Sequence, residues 1–337
     1  MVSLAISAII LFHELATMPR YIPYIKNAMT LITSQPNEPQ SQLPMIPEDS
    51  KNVNANISFI GNFSPASVLG SDFYGTFNSF IHDIDILQYS FKDITGNDVM
   101  TIASCNAVLA PSDSLKDIDI SEDGAWLLGP EENAMIYSVL GIDAVSLETE
   151  HILDYSDVGK IATQTALESS DIKTFDSRDP LIIDLGPISA CVLTARFTQA
   201  APSIAGLIRI AKSIYDVVIV YGEADDSSAQ PSEWRVSAAH EMIDAGADAV
   251  IQYTDKVQPV ERYNDGFIAY SLGNFLDGSV SPTEDSVSLI LSLNIKQSGS
   301  HSPTTSFLIV PCISNSDGWI PSPAHDPEHV ENALTIN

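Results

Sequence analysis

Apolar positions from residue 56 onward recur in two alternating patterns. Short runs of consecutive apolar residues, typical of buried strands, alternate with stretches whose apolar positions follow the helical period. The first run is ISFI at residues 57–60, and it ends at Gly61, a residue that favours a turn into a loop. Later in the chain two complete strand and helix units follow one another. Consecutive units of this kind predict parallel strands joined by right-handed crossovers.

Three segments carry a helical pattern. Residues 131–140 stop at Gly141, a residue common directly after a helix. The second helix follows Ser203, and the third follows Ser232 and ends at Gly246; serine is a frequent helix cap. The predicted strands are 57–60, 144–147, 188–193, 216–221, 249–251, 257–262, 267–272, 287–295 and 306–310. Because the last four strands have no helix between them, the sequence predicts an α/β fold with a mixed sheet or two packed sheets.

The chain before residue 56 has a different character. Residues 1–12 are an apolar run that is shorter than the roughly 20 residues of a spanning helix, and no basic residue precedes it. For residues 1–32 two interpretations stay open: a signal or membrane-anchor segment, or a helix that docks on a neighbouring subunit. Residues 33–55 hold four prolines among polar residues, the composition of an extended linker. A globular domain over 56–315 and a tail over 316–337 complete the predicted organisation.

The charge and apolar content of the chain limit the classes of protein and partner that are possible. Fifteen Lys and Arg against 44 Asp and Glu give a net charge of −29, which repels nucleic-acid phosphates and excludes nucleic-acid binding. The 45% apolar content is enough for a large core, so a disordered chain is excluded as well. Cys105, Cys191 and Cys312 form no CxxC pair, and we expect all three to be buried small apolar residues.

Three segments carry a family signature. They are ISFIGNFS at 57–64, LGIDAVSLETEHILDYSDVGK at 140–160, and the stretch 216–278, which contains IDAGAD, QPVE and YSLGNF. In this order they resemble the CapA family of poly-γ-glutamate capsule-synthesis proteins. The resemblance covers residues 56–280 and implies a calcineurin-like metallophosphoesterase architecture. That architecture is a four-layer α/β/β/α sandwich with two mixed sheets and a metal site in the loops after the strand ends.

The resemblance also implies metal ligands, and the first half of this chain has exchanged several of them. The family has Gly-Asp after its first strand, where this chain has Asn62 after Gly61. The family segment Asn-Leu-Glu is matched by Asn106, without the carboxylate. Asn-Asn-His becomes Thr149, Glu150 and His151, so the histidine is kept, and Asp154 follows it.

The second half departs further from the family pattern. The segment that resembles His-Trp-Gly has Glu223 in place of the histidine. The Gly-His-His-Pro-His type of loop is replaced by Gln252 to Lys256, with Thr254 and Asp255 before the lysine. Asn274 in YSLGNF matches the family motif. An ammonium group inside a ligand shell opposes cation binding, so we expect a degenerate metal site.

Alternatives at this site stay open. We expect Glu150, Glu223 and Lys256 to form an ion-pair network. A rival interpretation is an oxygen-rich Ca²⁺ or Mg²⁺ site, since these ions prefer carboxylates. Its ligands would be Glu150, Glu223, Asp225, Asp226 and Asp255. His151 and Asp154 are the family-matched catalytic candidates, but no nucleophile motif accompanies them, so His151 is expected to bind a carboxylate rather than act as a general acid.

The sequence therefore predicts a CapA-like protein at the cell surface or secreted, a pseudoenzyme of its family. Its expected role is binding, scaffolding or self-assembly with a surface polymer or another extracellular protein, with no cofactor. The alternative is a metal-dependent hydrolase or transferase in poly-γ-glutamate-type capsule biosynthesis. A module that binds a cationic ligand is a third hypothesis, favoured by the net charge. Residues 1–32 would supply a homo-oligomer contact or a membrane tether.

Overall fold

The structure is a computed structural model that describes residues 52–68, 98–115, 127–226, 228–279, 286–314 and 322–323. The predictions for residues 1–32, for most of the linker and for most of the tail lie outside the described residues. The first strand begins at Val53, four residues before the strand predicted at 57–60. Val53 and Ala55 alternate with polar residues and face the core, which is the periodicity of a strand.

The described residues form strands, four α-helices and short 3₁₀ turns. The strands are β1 Val53–Ile60, β2 Asn62–Ser64, β3 Ser67–Val68, β4 Met100–Ser104, β5 Val108–Leu109, β6 Leu127–Gly129, β7 Ala144–Ser146, β8 Lys173–Phe175, β9 Leu181–Asp184, β10 Ser189–Thr194, β11 Val217–Glu223, β12 Ala249–Tyr253, β13 Val257–Tyr263, β14 Gly266–Leu272, β15 Asn274–Asp277, β16 Ser286–Gln297, β17 Thr304–Ser314 and β18 Ser322–Pro323. The helices are α1 Met135–Leu140, α2 Ser156–Ser169, α3 Ala205–Ile214 and α4 Glu233–Asp244, and the 3₁₀ turns are Ser112–Leu115, Glu131–Ala134 and His151–Leu153.

Two large mixed sheets contain most of these strands, and β15-β2 and β3-β6-β5 form two small sheets. The first has the order β18-β17-β16-β1-β4-β7-β8, with β1, β4, β7 and β8 parallel to one another and β16 antiparallel to β1. The second has the order β13-β14-β12-β11-β10-β9; its four central strands are parallel, and both edge strands are antiparallel to their neighbours. The carboxyl ends of the parallel strands bring their following loops to one edge of each sheet.

Three apolar clusters separate four layers. The central cluster lies between the sheets, where the rings of Phe59 and Tyr221 are 5.6 Å apart. A second cluster packs α1 and α2 on the outer face of the first sheet, and a third packs α3 and α4 on the outer face of the second. This is the α/β/β/α sandwich that the family resemblance implied, so the fold class is confirmed. All three cysteines are buried and free, as expected.

The predicted elements are present, and the structure adds α2 and several strands that the pattern did not predict, among them β4, β8 and β9. Each apolar run gave a strand, and the helices after Ser203 and Ser232 are α3 and α4. The predicted helix 131–140 is a 3₁₀ turn followed by α1, which ends at Gly141 in the left-handed conformation with φ of 78°. The pattern missed α2, because its buried side includes Gly159 and Thr163 and therefore lacks a continuous apolar stripe. None of the helices in the described ranges is both long and apolar enough to cross a membrane.

Candidate functional site

A polar pocket of about 530 Å³ lies at the carboxyl ends of the central strands. Ligand sites of open α/β sheets form at this edge, because the loops after parallel strands meet there. Its lining residues are Asn62, Ser64, Asn106, Leu127, Glu150, His151, Glu223, Ala224, Asp225, Thr254, Asp255, Asn274, Asp277 and Ser279. The structure thus brings together most residues that the sequence singled out, from six separate segments of the chain.

Two glycines fix where the chain enters the pocket. A Cβ on Gly61 would lie 1.9 Å from the carbonyl oxygen of Gly273, and one on Gly222 would lie 1.8 Å from that of Ala195. No side chain fits at either crossing, so neighbouring backbones can approach closely there. Each glycine directly precedes a pocket residue, Asn62 or Glu223. The close crossings therefore hold these two side chains at the sheet edge.

Glu223 is the buried carboxylate of the pocket. Its Oε1 accepts a hydrogen bond from Asn106 Nδ2 at 2.8 Å, and its Oε2 accepts one from the Glu150 backbone N–H at 2.6 Å. Arg196 Nε lies 3.5 Å from Oε2. Burial raises the pKa of Glu223 to about 7, although the Arg196 charge and the Glu150 N–H lower it in part. The carboxyl group is thus held near its point of half-ionisation at neutral pH.

His151 and Asp154 form a second polar pair beside the pocket. His151 Nδ1 is 2.9 Å from Asp154 Oδ2, and the same oxygen accepts a hydrogen bond from the Leu127 backbone N–H. The His151 backbone N–H donates to Asn106 Oδ1, so this asparagine links the histidine segment to Glu223. Burial lowers the pKa of His151, but the hydrogen bond and charge of Asp154 outweigh it, and the pKa lies above its ordinary value. The expected contact of His151 with a carboxylate is present.

Three further polar side chains form a chain of hydrogen bonds along one wall. Asn62 Nδ2 donates to Asn274 Oδ1 at 2.6 Å, and Asn274 Nδ2 donates to Asp277 Oδ2 at 3.2 Å. Asn62 is 5% exposed, and its Oδ1 is buried without a hydrogen-bond partner. The asparagine that replaces the family aspartate is therefore anchored through its nitrogen and keeps its oxygen unpaired.

The structure corrects the expected ion-pair network. Lys256 is exposed and does not line the pocket, and no ion pair joins it to Glu150 or Glu223. In the turn after β12 the hydroxyl of Thr254 bonds to Ser271 Oγ and to the Lys256 carbonyl oxygen, and the lysine side chain lies exposed. The cation beside Glu223 is Arg196 instead.

Sequence reasoning missed two arginines. Arg196 lies two residues after the end of β10, and a charged residue at the end of an apolar run was the signal that could have found it. Arg235 on α4 is fully buried. Its guanidinium donates to Gln252 Oε1, to Gln258 Oε1 and to the carbonyl oxygens of Asp226 and Tyr270. These bonds hold the loop between β11 and α4, which carries Asp225 at the pocket mouth.

The donor set does not fit the two-metal centre that the fold family implies. Within the described ranges no three His, Cys, Asp or Glu side chains come together as a group that could hold a metal ion. Glu150, Asp225 and Asp255 are exposed at the mouth. Asp226, which the oxygen-rich alternative included, accepts hydrogen bonds from Ser228 and Ser232 and lies outside the pocket lining. Both oxygens of Glu223 already accept protein hydrogen bonds.

Comparison with known families identifies the chain. The model of the family described as "Bacterial capsule synthesis protein PGA_cap" matches residues 85–279, more than half of the sequence. The chain belongs to this family. The family resemblance inferred from the motifs is therefore confirmed, and a role connected with capsule synthesis is supported for this PGA_cap member.

Two curated relatives are similar over part of their length. "Capsule biosynthesis protein CapA" of Bacillus anthracis is 26% identical over 238 residues, which are 57% of this chain and 57% of that protein. "PGA biosynthesis protein CapA" of Bacillus subtilis (strain 168) is 35% identical over 98 residues, 28% of this chain and 25% of that protein. The PGA_cap chain thus spans about half or less of the relatives it matches.

Solved structures with a similar chain trace include phosphatases. A novel phosphatase from Mycoplasma pneumoniae superposes with a TM-score of 0.46 at 9% identity, over 78% of this chain and 94% of that one. A 5′-nucleotidase from Staphylococcus aureus superposes with a TM-score of 0.41 at 11% identity, over 84% and 56% of the two chains.

Proposed function

We propose that this PGA_cap member serves capsule synthesis as a binding or scaffolding component and not as a two-metal phosphoesterase. Family membership supports the connection with the capsule. The contacts of Glu223, the carboxylate at the position of a family metal ligand, support the claim that the protein is not a two-metal phosphoesterase. Its two oxygens accept hydrogen bonds from Asn106 and Glu150, and its charge faces Arg196.

Metal binding at Glu223 would have to overcome this arrangement. A divalent cation would need to displace the two N–H donors and tolerate the guanidinium of Arg196 nearby. Two like unit charges about 4 Å apart repel by about 4 kcal/mol even at an effective dielectric constant near 20. Imidazole ligands that would offset this repulsion are missing at the positions of Glu223 and Thr254. The pocket is better suited to a ligand held by hydrogen bonds and by its acidic rim.

We place this role at the cell surface or outside the cell, as the capsule connection of the relatives supports. The surface polymer or another extracellular protein is then the partner, and residues 1–32 supply self-assembly. Light scattering of the full chain tests the assembly step. Oligomers are expected, whereas a monomer with residues 1–32 intact would refute it.

Metal content is the decisive measurement for the pocket. The protein is purified without chelator, dialysed against Mn²⁺, Zn²⁺, Ca²⁺ and Mg²⁺ in turn, and analysed by mass spectrometry. Stoichiometry near zero for all four ions is the expected result. One or two tightly held ions, lost in the Glu223→Ala variant and kept in the Asp184→Asn variant, would overturn the proposal. Asp184 lies on β9 at the amino-terminal end of its neighbour β10, away from the pocket.

The second candidate is a metal-dependent hydrolase or transferase in poly-γ-glutamate-type capsule biosynthesis. It is favoured by the pair of His151 and Asp154, since a carboxylate-held histidine at a pocket wall suits proton transfer. On this hypothesis Glu150→Ala and Glu223→Ala abolish both metal binding and hydrolysis of a phosphodiester or amide substrate. Activity that survives both changes would eliminate it.

A further inference from the structure

We propose that the pocket binds an organic cation through a primary ammonium group. The inference rests on the proposed function, in which the pocket is a binding site and not a metal centre. Three features of the pocket indicate the chemistry of the ligand: the sign of its charges, an unpaired acceptor in its wall, and its size.

The charges of the lining are predominantly negative. Among the described lining residues, carboxylates come from five positions and His151 is the one basic side chain. The five are Glu150, Glu223, Asp225, Asp255 and Asp277. The guanidinium of Arg196 pairs with Glu223 and is not among the lining residues. An anionic ligand is repelled by this lining, and a cationic ligand is attracted.

The unpaired acceptor is Asn62 Oδ1. Asp277 Oδ2 accepts a hydrogen bond from Asn274 Nδ2, which fixes the Asn274 amide with its nitrogen toward the aspartate. Asn274 then presents its oxygen to Asn62 and fixes that amide in turn. Asn62 Oδ1 is left buried in the pocket wall without a donor. A buried acceptor without a partner costs free energy that a ligand N–H donor would recover.

Size and geometry favour an ammonium group over a metal ion. A volume of about 530 Å³ falls in the range of small-molecule sites, about 300 to 1,000 Å³, and far exceeds one ion. The carboxylates are spread around the rim, and no three converge on a point within the described ranges. Such a rim attracts a chain-like cation, while the amide oxygen of Asn62 accepts one of its N–H groups.

Isothermal titration calorimetry of the full chain at low salt, at a pH well above the Glu223 pKa, tests the proposal. The probes are cadaverine, its bis-trimethylammonium counterpart and Mg²⁺. Cadaverine is expected to bind saturably, and the permethylated diamine, which has no N–H donors, about tenfold or more weakly. Equal binding of the two diamines, Mg²⁺ binding as tight as cadaverine, or no binding of cadaverine would each overturn it.

Three variants locate the site. Asn62→Ala removes the unpaired acceptor and should weaken cadaverine binding about tenfold. Asp225→Asn changes an exposed rim residue with no expected effect on folding, and should weaken binding a few-fold. Asp184→Asn is the matched control and should leave binding unchanged. Equal effects of Asp225→Asn and Asp184→Asn would place the diamine elsewhere and refute the site. Metal uptake by the native chain would instead refute the proposed function, so the two failures are distinguishable.

Discussion

Replacement of Glu223 by Gln removes a buried carboxyl group whose ionisation is unfavourable. The pKa of this group rises from 4.5 to about 7 in the folded protein. Each pH unit between the folded and unfolded pKa corresponds to about 1.4 kcal/mol, so ionisation of Glu223 costs the folded state on the order of 3 kcal/mol. The amide of Gln keeps the shape of the side chain and has no charge to desolvate.

The direction in which stability changes with pH follows from the raised pKa of Glu223. Below the unfolded pKa the carboxyl is protonated in both states, and its contribution to stability is fully present. As pH rises toward about 7, the unfolded state ionises first and the folded state loses stability relative to it. The unfolding free energy of Glu223→Gln lacks this loss. Between about pH 5 and about pH 8, the stability of the variant relative to the native protein should therefore rise by on the order of 2 kcal/mol.

Urea unfolding of both proteins at the two pH values measures this difference. Other carboxylates titrate equally in both proteins and cancel in the comparison. The exposed Glu132→Gln is the control, since it removes a charge away from the pocket and should change stability by no more than about 0.5 kcal/mol at either pH. A difference between Glu223→Gln and the native protein that does not vary with pH would refute the reasoning.

Two further predictions concern the frame of the pocket. Gly222→Ala should destabilise the protein by about 3 kcal/mol or more, because the added Cβ would lie 1.8 Å from the Ala195 carbonyl oxygen. Gly186 has a φ of 86° and open space around it, so Gly186→Ala should cost only the backbone strain of about 1 kcal/mol. Thermal unfolding of the two variants compares these losses of stability. Arg235→Lys should destabilise the protein by about 3 kcal/mol, because an ammonium group cannot reproduce the planar guanidinium that binds Gln252, Gln258 and two carbonyl oxygens. A urea unfolding curve equal to that of the native protein would contradict this prediction.

The position of the site could be predicted from the sequence, while its internal contacts could not. Asn62, Glu223 and Asn274 lie at or just after the ends of predicted strands, and the ends of parallel strands meet at one edge, so their proximity was foreseeable. Asn106 follows β4, a strand that the pattern did not predict. Lys256 was placed in the pocket wrongly. The direction of a side chain after a strand depends on the turn, here set by the Thr254 hydroxyl, and no local pattern reports that.

What the sequence by itself determined is the α/β architecture and the family. Strands such as β11 and β12 begin with apolar runs, VVIVY and AVI, and a run buried on both faces has few alternatives to the interior of a sheet. Tertiary structure alone decided the electrostatics. It set Arg196 beside Glu223 and left Asn62 Oδ1 without a partner. These contacts join residues far apart in the chain, and the energy of each depends on burial and distance, quantities that exist only once the sheets have packed.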